Sequence, residues 1–147
     1  MAKMTLVEKY EYNKSYYDLN SEKIQIQRKE RKNSSISGRM LAIVGNAKAR
    51  AKREGWDFNL TQEFLVKLWY IQEGLCAITK EPLTLQTEET RWKGTLVSLD
   101  RIDSEFGYTQ DNVWLVCIKV NYAKGVQTYD EFIEMCKKAV ENYKCQN

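Results

Sequence analysis

Asp100, Arg101, Asp103, Asn112 and Asn121 are the residues of this chain whose types and spacing could do chemistry. Short carboxylates and amides at the ends of elements are unusual as core residues and useful as ligands. The oxygens of Asp100 and Asn121 are hard donors. They suit Mg²⁺ or Mn²⁺, with waters and substrate oxygens filling the octahedron. Arg101 cannot act as a base, because a guanidinium stays protonated at physiological pH. Its natural role is a bidentate clamp on a phosphate. Asn112 can orient a neighbour by hydrogen bonding. The chain holds no histidine at all.

The elements that must position these side chains lie between residues 97 and 125. Val97 and Leu99 alternate with Ser98 and Asp100, the period-2 pattern of a half-buried strand. The polar run from Asp103 to Asn112 contains Gly107 and reads as a turn. Val113-Trp114-Leu115-Val116 is a second strand. Residues 117–124 then carry Val120 and Ala123 at helical spacing, and Gly125 is placed to end the helix.

This strand–turn–strand–helix stretch resembles the ββα-metal nucleases, the HNH or His-Me finger family. Asp100 matches that family's first metal ligand, Asn112 its middle Asn and Asn121 its helix ligand. Asn121-Tyr122-Ala123-Lys124-Gly125 is similar to the family's Asn-x-x-Lys ending. The resemblance covers roughly residues 38–140 and extends to phage and mobile-element proteins with a basic helix before the finger. Two features depart from it. The base position holds Arg101, and the zinc ribbon is half erased: its two Cys pairs read Cys76-Ala-Ile-Thr79 and Cys117-Ile-Lys-Val120. Two thiolates do not make a tetrahedral site, so no structural zinc is expected. The two thiols should still lie close together, held by apolar packing around Ile78 and Val120.

What the resemblance implies is phosphodiester hydrolysis. That chemistry needs a positioned water, a proton acceptor and a cation that stabilises developing charge. In the register of a related branch with Asp-Arg-Gly-His, Asp103 falls where the base histidine would be. A carboxylate with an unperturbed pKa of about 3.9 is a weak base near neutrality. A metal-bound water deprotonated by solvent is another route, and Asp103 starting an Asx-type turn is the non-catalytic alternative.

Composition bounds the rest. A chain of 147 residues, 43% hydrophobic, is expected to form one domain, residues 38–147, behind a polar and basic N-terminal extension, residues 1–37. The finger occupies 95–125. Four scattered cysteines and no apolar signal segment favour reduced thiols in a cytosol, that of the host if the protein is phage-encoded. No apolar run is long enough to span a membrane. The net charge of +3 hides an asymmetry. Residues 28–55 hold nine basic side chains against two acidic ones, a balance of +7, which leaves −4 for the remainder. Such a segment is the electrostatic footprint of a nucleic-acid binder. Its bland alternative is a solvated helix face. Lys48, Arg50, Lys52 and Arg53, with Lys124 of the finger, are the candidate nucleic-acid contacts.

Along the chain, Leu19 to Ile26 reads as a short helix, and Lys32-Asn33-Ser34-Ser35 as a flexible join. Tyr10, Tyr12, Tyr16 and Tyr17 are expected to pack on the domain, with base stacking as the alternative. Residues 39–54 form a helix with Met40, Ile43, Val44, Ala47 and Ala51 on one face. Thr61 caps a second helix, 62–73, with Phe64, Leu65, Leu68, Trp69 and Ile71 facing a core. Lys80-Glu81-Pro82 is a hairpin-like turn where the zinc knuckle would sit. Arg91, Trp92 and Lys93 belong to a polar loop that either touches DNA or is ordinary surface. Thr128-Tyr129-Asp130-Glu131 is a capping box. It opens a last helix whose Phe132, Met135, Cys136, Ala139, Val140 and Tyr143 are expected to close the core.

The expected architecture is α+β, a ββα-metal finger framed by helices. The expected activity is a divalent-metal-dependent DNA endonuclease of nicking or homing type. The alternative is a weak or inactive finger kept as a DNA-binding or regulatory module, and a plain protein-interaction domain would predict no DNA affinity.

Overall fold

Ser35 begins the part of the chain that positions the site. Its hydroxyl accepts the Gly38 N–H at 3.1 Å and its backbone is extended, so it caps a helix running Ile36–Glu54. Gly55 closes that helix with φ 71°, a left-handed conformation open to glycine. The helix therefore starts three residues before 39, and Ser35, read as part of a flexible join, is its N-terminal cap. The computed structural model describes residues 5–90 and 93–145. Among them the order is α1 (Leu6–Asn33), α2 (Ile36–Glu54), α3 (Gln62–Ile71), β1 (Val97–Arg101), β2 (Val113–Cys117), α4 (Ile118–Lys124) and α5 (Tyr129–Cys145). The fold is mixed α+β with one two-stranded antiparallel hairpin.

The core sits where α2 and α3 pack against the hairpin. Met40, Ile43, Ala47 and Ala51 form the buried stripe of α2, and Leu65 anchors α3. Burying each large apolar side chain is worth about 1.5–3 kcal/mol. The strands pair Val97 with Cys117, Leu99 with Leu115 and Asp100 with Trp114. Val97, Leu99 and Leu115 are buried as the alternation requires. Gln72, just past α3, holds β2 by its backbone: its amide donates to Leu115 O at 2.8 Å and accepts from Leu115 N at 3.0 Å.

Several expectations give way. The N-terminal segment is a helix of 28 residues, not a short helix at 19–26. Tyr10, Tyr12 and Tyr16 stand exposed on it, with Tyr12 and Tyr16 stacked on each other at 6.5 Å, so they do not pack on the domain. α1 has no apolar stripe long enough to bury them: polar residues surround it on all sides. Ile71, the last residue of α3, is exposed rather than in the core. The capping box of α5 forms, with Glu131 Oε2 accepting from Thr128 N at 2.8 Å and Thr128 Oγ1 from Glu131 N at 3.3 Å. Among the described side chains of α5, Phe132, Ile133 and Cys136 join the core, while Met135, Ala139, Val140 and Tyr143 are exposed. Arg91 and Trp92 lie outside the described residues, as do the side chains of Tyr17, Arg28, Lys29, Arg31 and Lys32. No described helix is long and apolar enough to cross a membrane.

Candidate functional site

β1 ends at a cleft of about 200 Å³ walled by Arg50 and Arg53 of α2, Trp56, Arg101, Ser104 and Tyr108, with Asp100 and Asn121 in its lining. The α2 wall is placed by helical spacing. Arg50 and Arg53 lie three residues apart on one flank of α2. Lys48 and Lys52 lie roughly 200° round the helix from Arg50, on its other flank. The basic face of α2 is thus split: Arg50 and Arg53 line the cleft, Arg53 largely turned to solvent with its Nε donating to Glu54 Oε1 at 2.7 Å, while Lys48 and Lys52 are exposed on the other flank.

Arg101 is held flat. Its guanidinium carbon sits 3.7 Å above the Trp56 ring and 5.4 Å from the Tyr108 ring, and Nη1 donates to Phe106 O at 2.8 Å. Arg50 lies over the same Tyr108 ring at 5.2 Å. A guanidinium stacked on aromatic faces keeps its planar fork while giving up little freedom on binding an anion. Gly107 makes this packing possible. A Cβ there would stand 2.2 Å from Asp57 O, and the Tyr108 N–H bonds that same carbonyl at 2.9 Å. Gly107 therefore serves close approach rather than turn geometry.

Asp100 is buried, with 5% of its side chain exposed. Trp114, its cross-strand partner, donates Nε1–H to Oδ2 at 2.8 Å. The ammonium of Lys124, wholly buried, lies 3.3 Å from each carboxylate oxygen and donates to Arg101 O at 2.8 Å. Lys124 is therefore not a surface contact for nucleic acid. The last turn of α4 points it back under the strand, where it becomes the counter-ion of Asp100. Gly125, at φ 59°, ends the helix just beyond it.

Asn121 donates its amide to Ser98 Oγ at 2.8 Å and Leu99 O at 2.9 Å, which pins α4 to β1 and leaves the carbonyl oxygen as the available donor. By donor chemistry the Asp100 carboxylate and the Asn121 carbonyl fit Mg²⁺ or Mn²⁺, hard oxygens lining one cleft. Among the described residues no group of three or more His, Cys, Asp or Glu gathers to hold a metal ion.

Asn112 and Asp103 lie apart from this cleft. Asn112 is buried and spends its side chain on backbone: it accepts from Asp103 N and donates to Asp103 O and Gly107 O, each at 2.9 Å. It orients the 103–107 loop rather than the side chain at 101. Asp103 accepts the Glu105 N–H at 2.9 Å, an Asx turn, which is the non-catalytic alternative for this residue.

The remnant of the knuckle is compact. The Cys117 N–H donates to Cys76 Sγ at 3.3 Å, so the two thiols are neighbours, with Val120 buried and Ile78 packed against the core. Burial raises the Cys76 thiol, but hydrogen bonds from Thr79, Cys117 and Ile78 outweigh it and hold that thiol below its ordinary value. Burial, then the adjoining Cys76, pushes Cys117 up to about 11. An exposed Lys119–Glu81 pair at 2.6 Å closes the knuckle; their hydrogen bond lowers Glu81 and raises Lys119.

A second groove continues from the cleft between α2 and α4, about 530 Å³, sharing Arg50, Leu99 and Asn121 with it. Arg39 lies at its end, tied to Gln86 Oε1 at 2.9 Å and Val97 O at 2.8 Å; burial lowers its pKa. Sequence reasoning missed Trp56, Tyr108 and Trp114. The signal for Trp114 was available, since a short hairpin places it opposite Asp100. No pattern in the sequence brings Trp56 to Arg101.

No protein-family model matches the chain, and no solved structure matches it. Over 89 residues, 60% of its length, the chain is 33% identical to a protein of Enterobacteria phage T4 described as an uncharacterized 29.0 kDa protein in the dda-modA intergenic region. The chain spans about a third of that relative, the aligned part being 33% of its length.

Proposed function

We propose that the protein is an HNH-like DNA endonuclease that hydrolyses phosphodiesters with a divalent metal. The observation that carries this reading is the charge arrangement of the cleft: three arginines, Arg50, Arg53 and Arg101, surround one carboxylate and one amide on a strand–turn–strand–helix unit. Guanidinium groups lining one cleft can bind a phosphate and stabilise the charge that develops on it, although Arg53 is also paired with Glu54 at 2.7 Å. Arg101, preorganised on Trp56, is the clamp. Asp100 and Asn121 would hold Mg²⁺ or Mn²⁺, which when bound supplies a Lewis acid at the phosphate. Asn112 keeps the 103–107 loop shut behind Arg101. Asp103, committed to its turn, is the weaker candidate for a proton acceptor. The relative from phage T4 supports a phage or mobile-element setting.

A second reading is favoured by one specific feature. With no histidine in the chain and Asp100 already paired to Lys124, the unit also suits a DNA-binding module without turnover. Supercoiled plasmid incubated with the protein and Mg²⁺ or Mn²⁺ separates the two. The endonuclease converts it to open-circular or linear form, and chelator stops the conversion. Plasmid left supercoiled under both ions would overturn the endonuclease reading and leave the binding module.

A further inference from the structure

We infer that the Lys124 ammonium is the resident counter-cation of Asp100 and holds divalent ions off that carboxylate in the free protein. The inference rests on the reading of Asp100 as a metal ligand in an endonuclease cleft. Lysine is almost never fully buried unless paired, and here the pairing is complete. The ammonium donates to Asp100 Oδ1 at 3.3 Å and to Arg101 O at 2.8 Å, and Asp100 Oδ2 lies 3.3 Å from it as an ion pair. Trp114 adds a third contact to the carboxylate, donating to Oδ2 at 2.8 Å. Asp100 thus lines the cleft on one side and is neutralised by Lys124 from the other.

A divalent ion bonded to an Asp100 oxygen would sit about 2.0–2.1 Å from it. It would meet the lysine charge 3.3 Å from the same two oxygens and the charges of Arg50 and Arg101 in the cleft lining. Like charges at that range in a partly dry site repel strongly. The side chain that opposes the ion most directly is Lys124, because it alone is buried against the same two oxygens. Removing its charge while keeping the fold should therefore uncover a metal site.

The test is Mn²⁺ binding to the purified protein without nucleic acid, followed by the loss of the free-ion electron paramagnetic resonance signal. Lys124→Met keeps the length of the buried stem, and Lys124→Gln keeps a donor for Arg101 O. Far-ultraviolet circular dichroism identifies which of the two is folded, and that one is used. It should bind one Mn²⁺ per chain at least about tenfold more tightly than the wild type, the scale on which one adjacent charge shifts an ionic equilibrium. Adding Asp100→Asn to the same variant should abolish the gain. Wild-type protein that binds one Mn²⁺ as tightly as the variant would overturn the inference, as would a gain that survives Asp100→Asn. Because binding is measured, a wild type that leaves plasmid intact would remove the endonuclease reading and leave this result standing.

Discussion

Arg101 shows how a side chain can keep its chemistry and lose its expected neighbour. As a charged group before a polar turn it was legible as a phosphate clamp. Its support was not, because Trp56 lies 45 positions earlier and reaches it only through the fold. The expected partner, Asn112, is bonded instead to the backbone of Asp103 and Gly107. Arg101→Ala should therefore lower cleavage of DNA by about 10²-fold, the usual cost of one electrostatic donor. Arg101→Lys should lose nearly as much, because an ammonium neither forks onto a phosphate nor lies flat on an indole. Single-turnover rates of the three proteins at saturating DNA check this, and a lysine variant as fast as the wild type would contradict the clamp. The residue misread most plainly was Lys124. A lysine near a helix end normally faces water, and only the tertiary position of Asp100 explains its burial.

At the scale of elements, hairpin and helix ends were legible because alternation and caps are local. The strand at 97, the capping box at 128 and the glycine stop at 125 depend on residues within one turn of each other. What was not legible depended on distant packing: the exposed far half of α5 and the long α1 with its solvent-facing tyrosines. Gly107 belongs here too, since its role is set by Asp57 across the cleft wall. Gly107→Ala should destabilise the protein by about 1–3 kcal/mol or more, as overpacking does, and a urea midpoint equal to that of the wild type would contradict the close approach. The knuckle gives a pH prediction. The Cys117 thiol titrates at about 11 when folded, against an ordinary value of 9.0. A folded pKa raised in this way contributes stability that is fully present below pH 9 and lost as pH rises from there through about 11. Urea midpoints should fall across that window more steeply in the wild type than in Cys117→Ala. Parallel curves would mean that the buried thiol is not the group that titrates.

The whole molecule is organised by charge on a single helix. From sequence, the basic run of α2 looked like one surface; folded, it is two, with Arg50 and Arg53 toward the hairpin and Lys48 and Lys52 away from it. The split follows from helical periodicity, but choosing the functional flank required knowing which flank the hairpin covers. If the cleft is where the phosphodiester lies, only one flank contributes fixed contacts to it. The most direct test is the salt dependence of affinity for a short DNA duplex, measured by fluorescence anisotropy for the wild type and two double variants. Each phosphate contact contributes about −0.9 to the slope of log affinity against log salt. Arg50→Gln with Arg53→Gln should flatten the slope by about two contacts, roughly 1.8 in all. Lys48→Gln with Lys52→Gln should leave it close to that of the wild type. An unchanged slope in the arginine pair, with flattening in the lysine pair, would place DNA on the far side of α2 and contradict the cleft as the site of chemistry.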